Sequence, residues 1–110
     1  MKILITGSQG FVSHYLIKKL EKKNKIIKAD LPKIDVFNFD QINNLISKSK
    51  PNLIIHTAAA KGASKSYLTP KLFFDVNSFG TLNICESMRI NNIKKLVYIS
   101  SCSFYKRKKS

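Results

Sequence analysis

The feature that most restricts this chain is its opening. Residues Lys2-Ile-Leu-Ile-Thr6 form an apolar run with no polar alternation, and they lead directly into Gly7-Ser-Gln-Gly10. A run of that kind suits a strand buried on both faces, the situation of strands in parallel sheets. Parallel strands cannot be joined by hairpins, so each must be followed by a crossover, usually a helix. Such a crossover is visible at once. From residue 11 to about 23 the apolar residues Phe11, Val12, Tyr15, Leu16 and Leu20 recur at helical spacing, with lysines filling the other positions.

The same alternation continues along the chain. Residues 25–29 read as a second strand ending at Asp30, and Pro32 breaks the pattern. Residues 34–36 are a candidate third strand. Asp40 suits the N-cap of a short helix reaching Ser49, with Ile42, Leu45 and Ile46 on one face, and Pro51 stops it. Residues 53–56 form another continuous apolar strand, followed by the small residues Thr57, Ala58, Ala59, Ala60, Gly62 and Ala63. Pro70 opens a long helix to about Asn91, with Leu72, Val76 and Phe79 inward, and residues 96–99 are a fifth strand. Strands alternating with helices predict an α/β fold: a Rossmann-like three-layer sandwich whose parallel sheet has about five strands.

Composition removes several other classes. The 110 residues suffice for one modest domain. A hydrophobic fraction of 44% argues against disorder. No apolar run approaches the ~20 residues a bilayer span needs, so no membrane association is expected. The first apolar stretch is too short for a secretory leader, and Cys85 and Cys102 make no disulfide framework, so the cytoplasm is the expected compartment. Their spacing, even joined by His14 and His56, fits no metal site. The net charge of +14 comes from 20 lysines and arginines against 6 acids. The basic residues are dispersed in sequence and no aromatic platform interleaves them, so no nucleic-acid partner is expected.

In an open parallel sheet, ligands bind beyond the carboxyl ends of the strands. Gly7 permits a tight turn there, and Gly10 removes a side chain where a pyrophosphate would meet the backbone. The helix starting near Phe11 turns its N–H groups toward that anion. Asp30 ends the second strand about twenty residues further on, where a carboxylate reaches adenosine ribose hydroxyls and repels a 2′-phosphate. NAD is therefore favoured over NADP.

These residues and several later motifs together resemble the extended short-chain dehydrogenase/reductase family, the NAD-dependent sugar-nucleotide epimerases and dehydratases. Thr6-Gly-Ser-Gln-Gly-Phe-Val12 resembles the family's Thr-Gly-x-x-Gly-Phe-Ile, with Ser13 where a third Gly is usual. Asp35-Val36 falls where the family meets the adenine ring. Pro51-Asn-Leu-Ile-Ile-His-Thr-Ala-Ala59 resembles its Pro-Asp-x-Val-x-His-x-Ala-Ala segment. Ser66-x-x-x-Pro70 and Asn77-Ser-Phe-Gly-Thr-Leu-Asn83 resemble two further motifs, and Ser100-Ser101 with Tyr105 resembles its Ser-Ser-x-x-x-Tyr stretch. The part from His56 to Tyr105 looks most like the UDP-glucose 4-epimerases, although related dehydratases and reductases share these signs. The resemblance implies that Gly7, Gln9, Gly10, Phe11, Val12, Asp30, Asp35, Val36, Thr57, Ala58, Ala59, Lys61, Asn77 and Ser100 line the cofactor. It implies that Ser101 is the catalytic hydroxyl, and that His56 is structural.

The family's base is the Tyr of a Tyr-x-x-x-Lys motif well beyond the serine. Tyr105 and Lys109 have that spacing by coincidence, since a Lys-rich tail supplies lysine at any offset. Residues 1–105 thus read as the N-terminal part of an NAD(P)-binding Rossmann domain and 106–110 as a basic tail. The expectation is a partial enzyme of nucleotide-sugar chemistry, inactive by itself, that would form a homodimer only when completed by a C-terminal part. The alternatives are a non-catalytic dinucleotide-binding module and, behind it, a basic nucleic-acid binder.

Overall fold

The computed structural model describes residues 1–8, 10–30, 33–57 and 78–99. Within them the elements run β1 (Lys2–Thr6), α1 (Phe11–Leu20), β2 (Lys25–Ala29), α2 (Phe39–Ser49), β3 (Leu53–His56), α3 (Gly80–Asn91) and β4 (Leu96–Tyr98). The four strands form one parallel sheet in the order β2-β1-β3-β4. Thr6 lies opposite Ala29 on one side and His56 on the other, so β1, β2 and β3 finish level.

Strand alternation divides the core between the two faces of the sheet. Ile3, Ile5 and Ile55 pack with Ile17, Leu16 and Leu20 of α1. Leu4, Ala29 and Ile54 point the other way, against Ile42 and Ile46 of α2 and Ile84 and Met88 of α3. Helices on both faces make this a three-layer Rossmann-like sandwich. The chain goes from β1 outward to β2, then returns past β1 to β3. Strand order therefore reverses between β1 and β3, the place where open parallel sheets form a crevice at the carboxyl ends of their strands.

Several expectations are corrected. Residues 34–36 do not form a strand, so the described sheet has four strands. The Ile34 N–H bonds the Asp30 carbonyl at 2.9 Å and the Asn38 N–H bonds the Asp35 carbonyl at 2.9 Å, which coils the segment into successive turns. Val36 is buried in the core instead of pairing in a ladder. The cap of α2 is Asn38, whose Oδ1 accepts the Gln41 N–H at 3.2 Å, and Asp40 lies inside the first turn. α1 buries Ser13 and Ile17, while Phe11, Val12 and Tyr15 are exposed. Four-residue spacing puts Ser13 and Ile17 on one stripe, and a small residue at 13 lets the helix approach the sheet closely. α1 also ends at Leu20, because the N–H groups of Lys23 and Asn24 both turn back to the Leu20 carbonyl. Phe79 is exposed and meets Phe37 edge-on at 6.0 Å. The expected helix start at Pro70, with Leu72 and Val76, lies outside the described residues.

The fold groups five of the lysines. Lys2, Lys25, Lys50, Lys94 and Lys95 all stand at or just before the amino ends of strands, and all are exposed. They form a cationic pole at the end of the sheet opposite the crevice. Among the described residues no helix is long and apolar enough to cross a membrane.

Candidate functional site

The crevice is built by the segments that leave β1, β2 and β3. Gly7 leaves β1 with φ 64°, a left-handed conformation that glycine adopts without a Cβ penalty. The Gly10 N–H closes the turn onto the Gly7 carbonyl at 2.9 Å, and the His14 N–H bonds the Gly10 carbonyl at 3.0 Å. Gly10 is extended, at φ −75° and ψ 167°, and caps α1 without a side chain. The first N–H groups of α1 thus lack an intrahelical partner and carry the positive end of its dipole. Phe11 and Val12 occupy this first turn with exposed side chains. A 3.5 Å bond from the Ser8 N–H to the Ala29 carbonyl ties the turn to the end of β2, where Asp30 follows half-buried.

The next stretch is fixed by its own turns. The Asp35 carboxylate accepts the Phe37 N–H at 2.9 Å, and the Asp35 N–H donates to Gln41 Oε1 at 2.9 Å. Val36 turns its side chain into the core, and its carbonyl accepts Asn83 Nδ2 at 2.9 Å. The same amide donates to the Phe37 carbonyl at 3.1 Å, so α3 holds this loop.

Beneath the glycine turn lies a chain of polar side chains. The Thr57 hydroxyl donates to the Thr6 carbonyl, and the Thr57 N–H donates to Thr6 Oγ1 at 2.9 Å. Ser13 Oγ is 2.9 Å from Thr57 Oγ1. Thr6 Oγ1 is 2.8 Å from His56 Nδ1, and His56 Nε2 is 3.1 Å from Thr81 Oγ1. His56 is 1% exposed, and burial pushes its pKa down to about 4. A neutral imidazole suits the geometry: one ring nitrogen donates and the other accepts, and the Thr6 and Thr81 hydroxyls can each take the complementary role.

The site residues expected from sequence therefore divide. Gly7, Gly10, Phe11, Val12, Asp30 and Thr57 come together at the carboxyl ends of three strands, and Asp35 and Val36 follow in the loop beyond β2. Gln9, Ala58, Ala59, Lys61, Asn77, Ser100 and Ser101 lie outside the described residues, as do Tyr105 and Lys109. Sequence reasoning missed the link from Ser13 to Thr57. Its signal was a hydroxyl at the one α1 position where glycine is usual. It also missed Asn83 as a tether, and only the fold brings that residue to the β2–α2 loop. Among the described residues no group of three or more His, Cys, Asp or Glu is placed to hold a metal ion.

Comparison with known proteins gives the following. The family model for the NAD dependent epimerase/dehydratase family matches residues 3–110. UDP-glucose 4-epimerase of Pisum sativum is 30% identical, over 94% of this chain and 37% of its own length. The crystal structure of Thermus thermophilus UDP-glucose 4-epimerase in complex with NAD is similar at TM-score 0.85 and 26% identity, over 92% of this chain and 38% of that one. A dTDP-4-dehydrorhamnose reductase from Bacillus anthracis in complex with NADP is similar at TM-score 0.84 and 27% identity, over 90% of this chain and 35% of that one. The chain spans 39% and 37% of the length of two curated relatives it matches.

Proposed function

Because the chain belongs to the NAD dependent epimerase/dehydratase family, we propose that residues 1–105 provide the cofactor-binding portion of an oxidoreductase acting on a nucleotide sugar. NAD is the cofactor, and the reaction is of the epimerase or dehydratase type. One observation carries this reading. The left-handed turn at Gly7, the uncapped start of α1 and Asp30 meet at the crevice where strand order reverses.

Gly7, Gln9, Gly10, Phe11 and Val12 bind the pyrophosphate, which the α1 N–H groups and dipole favour. Asp30 accepts hydrogen bonds from the ribose hydroxyls, and its charge selects NAD over NADP. Asp35 and the Val36 N–H meet the adenine. Thr57, Ala58, Ala59, Lys61, Asn77 and Ser100 line the rest of the cofactor. NAD supplies hydride acceptance when bound. Ser101 holds a hydrogen bond to the sugar oxygen that loses its proton. The relatives named above act on nucleotide-linked sugars, which supports that substrate class. The free, exposed thiol of Cys85 suits the cytoplasm, where thiols stay reduced.

Calorimetric titration of the 110-residue chain with NAD tests the reading. Saturable binding is expected, and Gly10→Asp abolishes it by placing a bulky anion against the pyrophosphate. No binding by the unsubstituted chain would overturn it. Incubated with a UDP-hexose and NAD, the same chain is expected to yield no product, because a Tyr-x-x-x-Lys base does not follow Ser101 at the family's distance within these residues. Measurable turnover would contradict that part.

A further inference from the structure

We propose that Ser13 and Thr57 form a hydroxyl clasp that sets the position of the α1 amino end over the glycine turn, making Ser13 a positioning residue for pyrophosphate binding. The proposal rests on the cofactor reading above.

The acceptors around Thr57 favour one direction for the clasp, because the Thr57 hydroxyl faces the Thr6 and Gly7 carbonyls, which can only accept. The Thr57 hydroxyl has one proton, and it goes to the Thr6 carbonyl. The Thr57 oxygen must then accept from Ser13, 2.9 Å away. Thr57 is itself held twice to β1, because its N–H also donates to Thr6 Oγ1 at 2.9 Å. That oxygen is in turn hydrogen-bonded to His56 Nδ1 at 2.8 Å. The clasp therefore joins the start of α1 to the ends of β1 and β3.

Its place explains why this matters for a ligand. Ser13 is in the first turn of α1, three residues after Gly10, and is 1% exposed. A serine with no partner at so tight a contact would bury an unpaired hydroxyl. Paired, it fixes how far the helix start stands from the ends of β1 and β3. The N–H groups of that helix start are the ones an anion would meet, and small displacements of positioned donors weaken what they hold. A glycine at this place would allow close packing but give no such fixed distance.

The test compares NAD with adenosine, which has no phosphate, on the full 110-residue chain. Ser13→Ala is expected to weaken NAD binding about three- to tenfold, as loss of one buried hydrogen bond would, while adenosine affinity is unchanged. Thr57→Val is expected to weaken NAD binding at least as much, and Ser13→Ala added to Thr57→Val is expected to add little. Equal NAD affinity in Ser13→Ala and the original chain would overturn the clasp and leave the cofactor reading intact. Parallel loss of NAD and adenosine affinity would also overturn it, by showing a general structural defect. Absence of NAD binding by the original chain would overturn the cofactor reading, and the clasp with it.

Discussion

Asp30 and His56 sit at the ends of the two strands that flank β1 and have opposite tasks. Asp30 is half-buried at the mouth of the crevice. On the cofactor role proposed for it, Asp30→Asn removes a charge that would oppose a 2′-phosphate and weakens contacts to the ribose. NAD affinity should fall about tenfold while the preference for NAD over NADP shrinks, both read by calorimetry. His56 is enclosed. Its pKa falls from 6.5 to about 4 on folding, because burial disfavours the imidazolium. Between these values the unfolded chain binds more protons than the folded one. The stability contributed by neutral His56 is therefore fully present above pH 6.5 and is lost as pH falls toward 4. The loss amounts to roughly 3 kcal/mol, and urea unfolding at the two ends of that window should show it, with a shallower dependence in His56→Gln. The strand-end positions of both residues were legible in the sequence because each closes an apolar run. The bonding of His56 to Thr6 and Thr81 was not, since it depends on two segments that only the sheet register and α3 bring together.

Among the elements, those whose sequence allows one solution were readable. β1 and β3 are continuous apolar runs, and β2, α2 and β4 follow from period and punctuation. α1 was recognisable as a helix, and Leu16 and Leu20 of its expected apolar face do pack on the core, but the rest of that face was misread. Phe11, Val12 and Tyr15 have the stronger apolar signal, yet the sheet takes Ser13 and Ile17, because a close approach needs a small residue at the crossing. The stretch 34–36 misled for a related reason. Ile34 and Val36 alternate like a strand but serve as core contacts on a coiled segment. The contact of Val36 with α3 is tight enough to test. A Cβ on Gly80 would stand 2.9 Å from Val36 Cγ2. Val36 is β-branched and cannot rotate away freely. Gly80→Ala should therefore destabilise by about 1–2 kcal/mol despite the better helix propensity of alanine. In a Val36→Ala background the same change should become neutral or stabilising, a reversal that paired thermal melts would reveal.

Among the described residues, the two ends of the sheet gather different side chains. Glycine turn, Asp30 and Thr57 gather at the carboxyl ends of the strands, while Lys2, Lys25, Lys50, Lys94 and Lys95 crowd the amino ends. Sequence order concealed this grouping, because the lysines come from four separate segments. Like charges at one pole repel in the folded state, and salt screens that repulsion. Raising NaCl from about 0.05 to about 0.5 M should lift Tm by about 3–5 °C. The polarity also sharpens the test of the central claim, that a dinucleotide binds at the crevice, because NAD is an anion and could be drawn to either pole. Amide chemical shifts of the 15N-labelled chain, followed during NAD titration, separate the two. Binding at the crevice gives saturable shifts at Gly7, Gly10, Phe11, Val12, Asp30 and Thr57. Shifts confined to Lys2, Lys25, Lys50 and Lys95, or none at all, would contradict it.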